Sequence, residues 1–125
     1  MRLILTLVLV SLSACAAPVT PSDQRSFALA YLDDEPFAPR ATIRFVGPDR
    51  IAGQAPCNSY SANLTASLPA FATDGITSTE MACDALAAEG IFFAALAQMT
   101  SADLSGDGLI LSNDAGRRMV FQPEP

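Results

Sequence analysis

Three cysteines, Cys15, Cys57 and Cys83, carry the most distinctive chemistry in this 125-residue chain. The chain has no histidine, and all seven of its basic residues are arginine, so it has no lysine. Histidine bases, histidine metal ligands and Schiff-base lysines are therefore excluded. The two cysteines Cys57 and Cys83 cannot complete the usual zinc tetrahedron without histidine, and a reactive thiol here lacks its usual base. We therefore expect no catalytic residue, no metal site and no cofactor.

The charge balance of the chain points away from nucleic acid as a partner. Thirteen aspartate and glutamate residues outnumber the seven arginines, which gives a formal net charge of −6 at pH 7. Binding to nucleic acid depends on a basic surface that neutralises phosphates. We expect no nucleic-acid partner, and the length allows one domain at most.

Cys15 follows a segment that is typical of an export signal. Arg2 precedes an apolar run, residues 3–10, and small residues lead from this run into the cysteine. The run, at about ten residues, is far shorter than the ~20 needed to span a bilayer, and the pattern favours a cleaved signal. Residues 12–15, Leu-Ser-Ala-Cys, closely resemble the lipobox of bacterial lipoproteins. The resemblance implies a signal peptide over residues 1–14 and acylation of Cys15.

The lipobox resemblance also implies where the domain is held. Several acyl chains together form a stable membrane anchor. Ala16, rather than an aspartate, follows Cys15, which by resemblance to sorting in Gram-negative envelopes favours the outer membrane, with the domain facing the periplasm. Residues 15–25, with two prolines and no hydrophobic periodicity, are predicted to be the lipidated cysteine and a flexible tether. Ordinary secretion, with cleavage near Ala16 or Ala17, and a buried N-terminal helix or strand are the alternatives.

Cys57 and Cys83 are the cysteines that remain once Cys15 is acylated. In an oxidising envelope compartment, an even pair of cysteines favours a disulfide. A disulfide between them closes a loop of about 27 residues, worth ~3–4 kcal/mol in the chain-entropy description. Two buried free thiols are the alternative.

Alternation of apolar with smaller or polar residues predicts most of the strands. A period of two is typical of a half-buried strand, and turn residues separate several of the alternating stretches. The sequence 113–116, Asn-Asp-Ala-Gly, is typical of a hairpin turn. The predicted strands are residues 27–31, 41–46, 50–53, 59–66, 109–111 and 119–121.

An alanine-rich stretch, residues 84–100, predicts the one helix of the chain. Asp84 is a suitable N-cap, and Asp84 and Glu89 are the only charges in the stretch. We therefore expect this helix to be covered over much of its circumference. The predicted fold class is α+β, with a mostly antiparallel, curved and barrel-like β-sheet and one α-helix packed against it.

Two segments around the remaining cysteines carry a family resemblance. Residues 53–60, GQAPCNSY, and residues 79–83, TEMAC, are followed by the predicted helix. The first resembles the glycine–cysteine–asparagine segment of the META domain, the HslJ-like heat-shock protein family, and the second resembles its Thr-x-Met-Ala-Cys signature. The resemblance covers residues 26–122 and places Thr79 and Met81 in a structural motif. It implies a small, mostly β domain, common in envelope lipoproteins and linked to stress response, with no established enzymatic activity.

Two further motifs have a structural and a ligand-binding interpretation. An asparagine after a Pro-Cys turn, here Asn58, can bond to neighbouring backbone groups and hold a loop, and a ligand contact is the alternative. Asp103 to Asp114 partly mimics a calcium-binding loop. However, position twelve is a short aspartate and a predicted strand follows, so we favour a β-turn at residues 106–108.

These observations predict a lipid-anchored domain of the cell envelope that is not an enzyme. Its expected role is in stress tolerance or as an interaction module, with the membrane as partner through Cys15 and with an envelope protein as a further partner. The alternative is a small-molecule or peptide binder that uses a cleft between helix and sheet. A hydrolase based on two carboxylates is the third hypothesis.

Overall fold

The computed structural model describes residues 25–125, which form nine strands and one helix. The predicted signal peptide, Cys15 and tether residues 16–24 lie outside the described residues. In chain order the elements are β1 (Ser26–Leu32), β2 (Glu35–Pro36), β3 (Thr42–Phe45), β4 (Arg50–Gln54), β5 (Ser59–Leu64), β6 (Thr73–Ser78), α1 (Leu86–Gln98), β7 (Ser101–Asp103), β8 (Leu109–Ser112) and β9 (Arg118–Pro123).

All nine strands belong to one antiparallel sheet, and α1 packs against it. The strand order is β6-β5-β4-β3-β1-β9-β8-β7, with β2 paired to β1. The sheet is not closed, because β6 and β7 are its two ends. Residues 69–71 bridge towards β7, with Phe71 N–H donating to the Thr100 carbonyl at 2.9 Å and Ala102 N–H to the Pro69 carbonyl at 2.8 Å. The predicted α+β class, with a curved antiparallel sheet and one helix, is confirmed.

The core lies on the inner face of the sheet, under α1. Alternation places Tyr60, Ala62 and Leu64 of β5 inside, as predicted from their period of two. The helix contributes Phe92 and Leu96, both fully buried. The largest fully buried side chains are Phe71, Phe92, Phe121, Ile43, Ile51, Leu96, Met99, Leu109, Leu111 and Met119. Three strands, β2, β6 and β7, were not predicted, because they are very short or lack alternating large apolar residues.

A β-bulge in β1 changes which of its side chains are buried. Leu29 pairs with Phe121, and Tyr31 pairs with Val120, the adjacent residue of β9, so that β1 contains one extra residue here. An extra residue reverses the alternation beyond it. In the predicted strand 27–31, Tyr31 alternates in step with Phe27 and Leu29, and we expected it on their buried face. Because of the bulge Tyr31 is instead 42% exposed, and Leu32 is buried in its place.

Helix α1 starts later and is less covered than predicted. Asp84 is not its N-cap: the helix starts at Leu86, and the residue before it makes no side-chain capping bond. Leu86 N–H donates instead to the Cys83 carbonyl at 3.2 Å, so the two residues between them form a turn. Leu86 and Ile91 are 49% and 55% exposed, so only one side of α1 is buried. The opposite side is exposed although it is largely apolar, and three of its seven exposed residues are alanines.

Candidate functional site

Two loops and the first turns of α1 meet at one end of the sheet. The first loop joins β4 to β5 and contains Cys57, and the second joins β6 to α1 and contains Cys83. The predicted disulfide is present: Cys57 and Cys83 are bonded, with their Cα atoms 5.8 Å apart. The bond ties together two loops that are 26 residues apart in sequence, next to a buried charged side chain, Glu89.

Glu89 is a buried carboxylate that accepts three hydrogen bonds from the first loop. Its side chain comes from the first turn of α1 and is only 5% exposed. Oε2 accepts from the backbone N–H groups of Cys57 and Asn58, both at 2.8 Å. Oε1 accepts from the side-chain amide of Asn58 at 2.7 Å. A buried charge is tolerated when it is hydrogen-bonded in this way.

Asn58 links the same carboxylate to the second loop. Its Nδ2 also donates to the Met81 carbonyl at 3.0 Å. Its Oδ1 accepts from the Thr79 hydroxyl at 2.9 Å and from the Met81 N–H at 2.7 Å. The side-chain amide thus makes two donated and two accepted bonds, which is its full capacity. We call Cys57, Asn58, Thr79, Met81 and Glu89 the Glu89 cluster.

The hydrogen bonds of the Glu89 cluster keep its carboxyl group ionised. Burial acts to raise the pKa of Glu89, but the bonds from the Asn58 amide and from the two backbone N–H groups favour the charged form. Together they hold the pKa of Glu89 below its ordinary value. A carboxylate with this pKa and with its oxygens engaged serves as an acceptor and not as an acid near neutral pH.

The sequence-predicted residues take different parts in this arrangement. Asn58 and Thr79 contribute side chains, whereas Met81 contributes its backbone and leaves its side chain 65% exposed. Sequence reasoning did not assign any contact to Glu89. The available signal was that Glu89 is the only charged residue within α1, an isolated charge in an otherwise apolar helix.

Tyr60 is a second buried polar residue near the cluster. Its hydroxyl donates to the Thr42 carbonyl at 2.7 Å, and its ring packs edge-on against the rings of Phe92 and Phe93, both at 5.5 Å between centroids. Burial raises the pKa of Tyr60 far above its ordinary value. The phenol therefore stays protonated and joins β5, β3 and α1.

Within residues 25–125, no group of three or more cysteine, aspartate and glutamate side chains is arranged to hold a metal ion. Asp103 and Asp114 belong to different hairpins: β7 and β8 pair on either side of the turn after Asp103, and Asp114 lies in the turn between β8 and β9. The Asp103 carboxylate accepts from the Ser105 N–H at 2.8 Å. Residues 104–108 connect the paired strands β7 and β8, and residues 105–108 form a bend.

The surface cavities in the described part of the chain include three of about 350, 240 and 350 Å³. None of the three is lined by a residue of α1. They lie along the strands, and so differ from the expected cleft between helix and sheet.

In residues 25–125, no helix has the length and apolar character that crossing a membrane requires.

Comparison with known proteins gives a family and a fold. A family model described as the META domain matches residues 17–125. An NMR structure of a protein from Burkholderia xenovorans has a TM-score of 0.64 and 19% identity, and the match covers 96% of this chain and 99% of that one. A second NMR structure has a TM-score of 0.64 and 21% identity, covering 83% of this chain and 94% of that one. No curated protein matches the sequence. At these identities the structural matches show the fold alone.

Proposed function

The chain belongs to the META domain family, and from this premise we propose that it is a lipid-anchored, non-enzymatic domain of the bacterial cell envelope. Its role is that of an interaction module that supports stress tolerance. It is held at the outer membrane through Cys15, faces the periplasm and acts on an envelope protein partner.

The observation that carries this proposal is the state of the buried carboxylate. Both oxygens of Glu89 accept hydrogen bonds from the protein itself. A general acid needs a raised pKa and an accessible proton, whereas the pKa of Glu89 is lowered and the side chain is buried. The Glu89 cluster therefore has a structural role and holds two loops against α1. This suits a domain that functions by binding a partner at its surface.

The Cys57–Cys83 disulfide supports the envelope location. Disulfides persist in oxidising compartments such as the periplasm and are rare in the cytosol. A small domain with one core also gains proportionately more from a covalent link than a large one does. Export by the signal peptide, followed by acylation of Cys15, is consistent with this requirement.

Labelled palmitate in the bacterial host tests the anchor. The wild-type chain should incorporate the label and remain with the membrane fraction. Cys15→Ser should lose both properties. Cys83→Ser, which removes a different cysteine, should keep the label and serves as the matched control. Label in the Cys15→Ser protein, or a soluble wild-type protein, contradicts the anchor.

Crosslinking in the intact envelope tests the interaction role. A photoreactive amino acid is placed in turn at the exposed large apolar positions, Tyr31, Val46, Met81, Leu86 and Ile91. At least one position should give a discrete crosslinked protein that increases under envelope stress. If every position gives only lipid or no product, the proposal of a protein partner is wrong.

Complementation of a deletion strain with variants distinguishes an interaction role from an enzymatic role. In a strain that lacks the gene, Glu89→Gln should restore stress survival in proportion to the amount of folded protein. Cys15→Ser should fail at equal protein levels, because it is not anchored. Complete loss of protection by folded Glu89→Gln contradicts the non-enzymatic role.

A further inference from the structure

The outer face of the sheet carries a polar cavity that the Glu89 cluster does not use. Cross-strand pairing places Ser26 beside Arg44, Arg44 beside Ala52, and Ala52 beside Ser61. Their chain neighbours Phe27, Phe45, Ile51 and Tyr60 are buried in the core, so this row points outward. The cavity is about 350 Å³, and its lining includes Ser26, Arg40, Arg44, Gln54, Ser59 and Glu124. We call it the outer-face cavity.

The cavity exists because its floor is built from small residues. Ala52 and Gly53 are among its lining residues. Gly53 lies so close to the Thr42 backbone that a Cβ there would collide with the Thr42 carbonyl. The floor is held by a bond from the Gln54 N–H to the Thr42 hydroxyl at 2.9 Å and by the Tyr60 hydroxyl on the Thr42 carbonyl. The depression is therefore a fixed feature of the sheet.

Its charge is opposite to that of the protein as a whole. Arg40 pairs with Glu124 at 2.8 Å, whereas Arg44 has no carboxylate within 4.0 Å among residues 25–125. The cavity therefore holds a net positive charge in a chain of net charge −6. By contrast, Arg117 and Arg118 are each paired with an aspartate of the β1–β2 turn.

A shallow second depression, also about 350 Å³, continues from the cavity over β5 and β6. It shares Ser59 and Tyr60 with the outer-face cavity and adds Ser61, Thr77 and Thr79. The Ser61 and Thr77 hydroxyls lie 3.3 Å apart. Hydroxyl side chains both donate and accept hydrogen bonds, so this surface suits a ligand that is itself rich in hydroxyl groups.

We propose that the outer-face cavity binds the carboxylate or phosphate of a small hydroxylated molecule, of the class of sugar acids and sugar phosphates. Arg44 is the principal cation for the oxyanion, and Arg40 turns from Glu124 towards it as a second one. Ser26, Gln54 and Ser59 supply neutral hydrogen bonds. The hydroxylated body lies over Ser61 and Thr77.

The site is independent of the lipid anchor and of any protein partner. Its volume is within the range of small-molecule sites, and it has the few convergent polar groups that such sites use. Arginine matches carboxylates and phosphates because its planar guanidinium presents donors in a fork. If no ligand binds in calorimetric titration, the proposed anchoring and interaction role is unaffected, because that role is tested separately in cells.

Calorimetric titration of the full chain, purified in a nonionic detergent, tests the site. The probes are inorganic phosphate, glucose 6-phosphate and glucuronate, with neutral glucose as the comparison. The three anions should bind and glucose should not. Tighter binding of glucose 6-phosphate than of inorganic phosphate supports contact with the hydroxyl surface, and equal affinity overturns that contact.

Two arginines on the same face provide a matched pair of variants. Arg44→Gln should weaken anion binding about tenfold or more, the loss expected for one charge-assisted partner. Arg50→Gln removes the same charge from an exposed arginine that bonds to Ser61 at 3.2 Å but does not line the outer-face cavity. It should therefore change the affinity for inorganic phosphate little, because phosphate has no hydroxylated body to reach Ser61. Glu124→Gln removes the competing carboxylate and should tighten binding.

Three results overturn the oxyanion site. The first is no heat of binding with any anion at millimolar concentration. The second is that glucose binds as well as glucose 6-phosphate. The third is that Arg44→Gln and Arg50→Gln lose the same affinity for inorganic phosphate. Unfolding midpoints of the variants check their folding. Arg44 and Arg50 are exposed, so the midpoints of their variants should stay close to that of the wild type. The Glu124 side chain is only 17% exposed and pairs with Arg40, so the affinity of Glu124→Gln is measured below the unfolding midpoint of that variant.

Discussion

The carboxylate of Glu89 and the side-chain amide of Asn58 lie 2.7 Å apart, although the two residues are 31 positions apart in sequence. Asn58 belongs to the loop between β4 and β5, and Glu89 belongs to α1. Because Asn58 also bonds to Thr79 and Met81, this one contact fixes three segments of the chain with respect to each other.

Glu89→Gln should destabilise the domain even though it preserves shape. The glutamine oxygen can still accept from the backbone, but its NH₂ group then faces the NH₂ group of Asn58. The side-chain amide of Asn58 cannot rotate to present its oxygen to this NH₂ group, because Oδ1 already accepts two hydrogen bonds. A buried donor is left without a partner, and we expect a loss of about 1–3 kcal/mol in the free energy of unfolding, measured by urea denaturation.

Glu80→Gln is the matched control for that experiment. Glu80 is exposed in the loop before α1 and undergoes the same chemical change. It should alter the free energy of unfolding by no more than about 0.5 kcal/mol. Equal effects of the two substitutions would show that the hydrogen bonds of Glu89 do not stabilise the fold.

The dependence of stability on pH should be steeper in the wild type than in Glu89→Gln. The pKa of Glu89 is lower in the folded protein than in the unfolded chain, so its stabilisation is complete above an unfolded pKa of about 4.3 and is lost as the pH falls through the folded pKa. Asp33 and Asp103 also have lowered pKa values and leave a residual slope in both proteins. Urea midpoints from neutral to acid pH measure the difference, and identical slopes would refute it.

Asn58→Asp should show the opposite dependence on pH. It places a second carboxylate against Glu89, and like charges at this separation cannot both be ionised without a large cost. We expect a loss of about 3–5 kcal/mol near neutral pH, which shrinks in acid as one carboxyl is protonated and donates to the other. Asn63→Asp also faces a carboxylate, that of Asp74 at 3.2 Å, but at an exposed site, so its effect should be small. An Asn58→Asp deficit that does not vary with pH contradicts the geometry.

Loss of the disulfide should lower stability without moving the hydrogen-bonded cluster. The Cys57–Cys83 bond closes a loop with a sequence separation of 26, for which the chain-entropy description gives about 3–4 kcal/mol. Cys57→Ala/Cys83→Ala should therefore unfold at a lower urea concentration than oxidised wild type. A reductant should lower the wild-type midpoint and leave that of the double variant unchanged. If the urea midpoint of the wild type is the same with and without reductant, the disulfide does not stabilise the fold.

Two glycine substitutions should change stability in opposite directions. In Gly53→Ala the new Cβ collides with the Thr42 carbonyl and lies 3.1 Å from the Tyr60 ring, and neither group can move without disturbing the sheet. We expect strong destabilisation, about 1–3 kcal/mol. In Gly90→Ala nothing lies within 4 Å of the new methyl, so the better helix former should stabilise α1 by about 0.5–1 kcal/mol. Thermal unfolding of both variants checks the contrast, which fails if both shift the same way.

Much of the fold could be predicted because its signals are local. The alternation in 59–66 identified β5 and its buried face, and the sequence at 113–116 identified the β8–β9 hairpin. Tyr31 was placed on the wrong face, since the bulge in β1 depends on its pairing with β9 and not on the residues of β1. The start of α1 was misplaced because the turn after Cys83, and not a cap by Asp84, sets it.

The candidate site was predicted in part. The cysteine pair followed from composition and compartment, and Asn58 was singled out as a residue that holds a loop. The acceptor opposite Asn58 could not be identified, since Glu89 is far away in sequence and a lone charge in a helix is usually solvated. The outer-face cavity was not predicted at all, because Arg40, Arg44 and Ser59 come together only through the pairing of neighbouring strands.

The sequence by itself determined the periodicities, the turns, the cysteine pair, the absence of histidine and lysine, and the resemblance that identified the META family. These depend on residue type and short spacing, which act before any long-range contact forms. The tertiary structure decided that Glu89 meets Asn58, that Tyr31 faces outward, and that Arg44, which pairs with no carboxylate among residues 25–125, lines a polar cavity. Hydrogen bonds and cavities depend on distances of a few ångströms between segments far apart in the chain, and only the packed sheet and helix fix those distances.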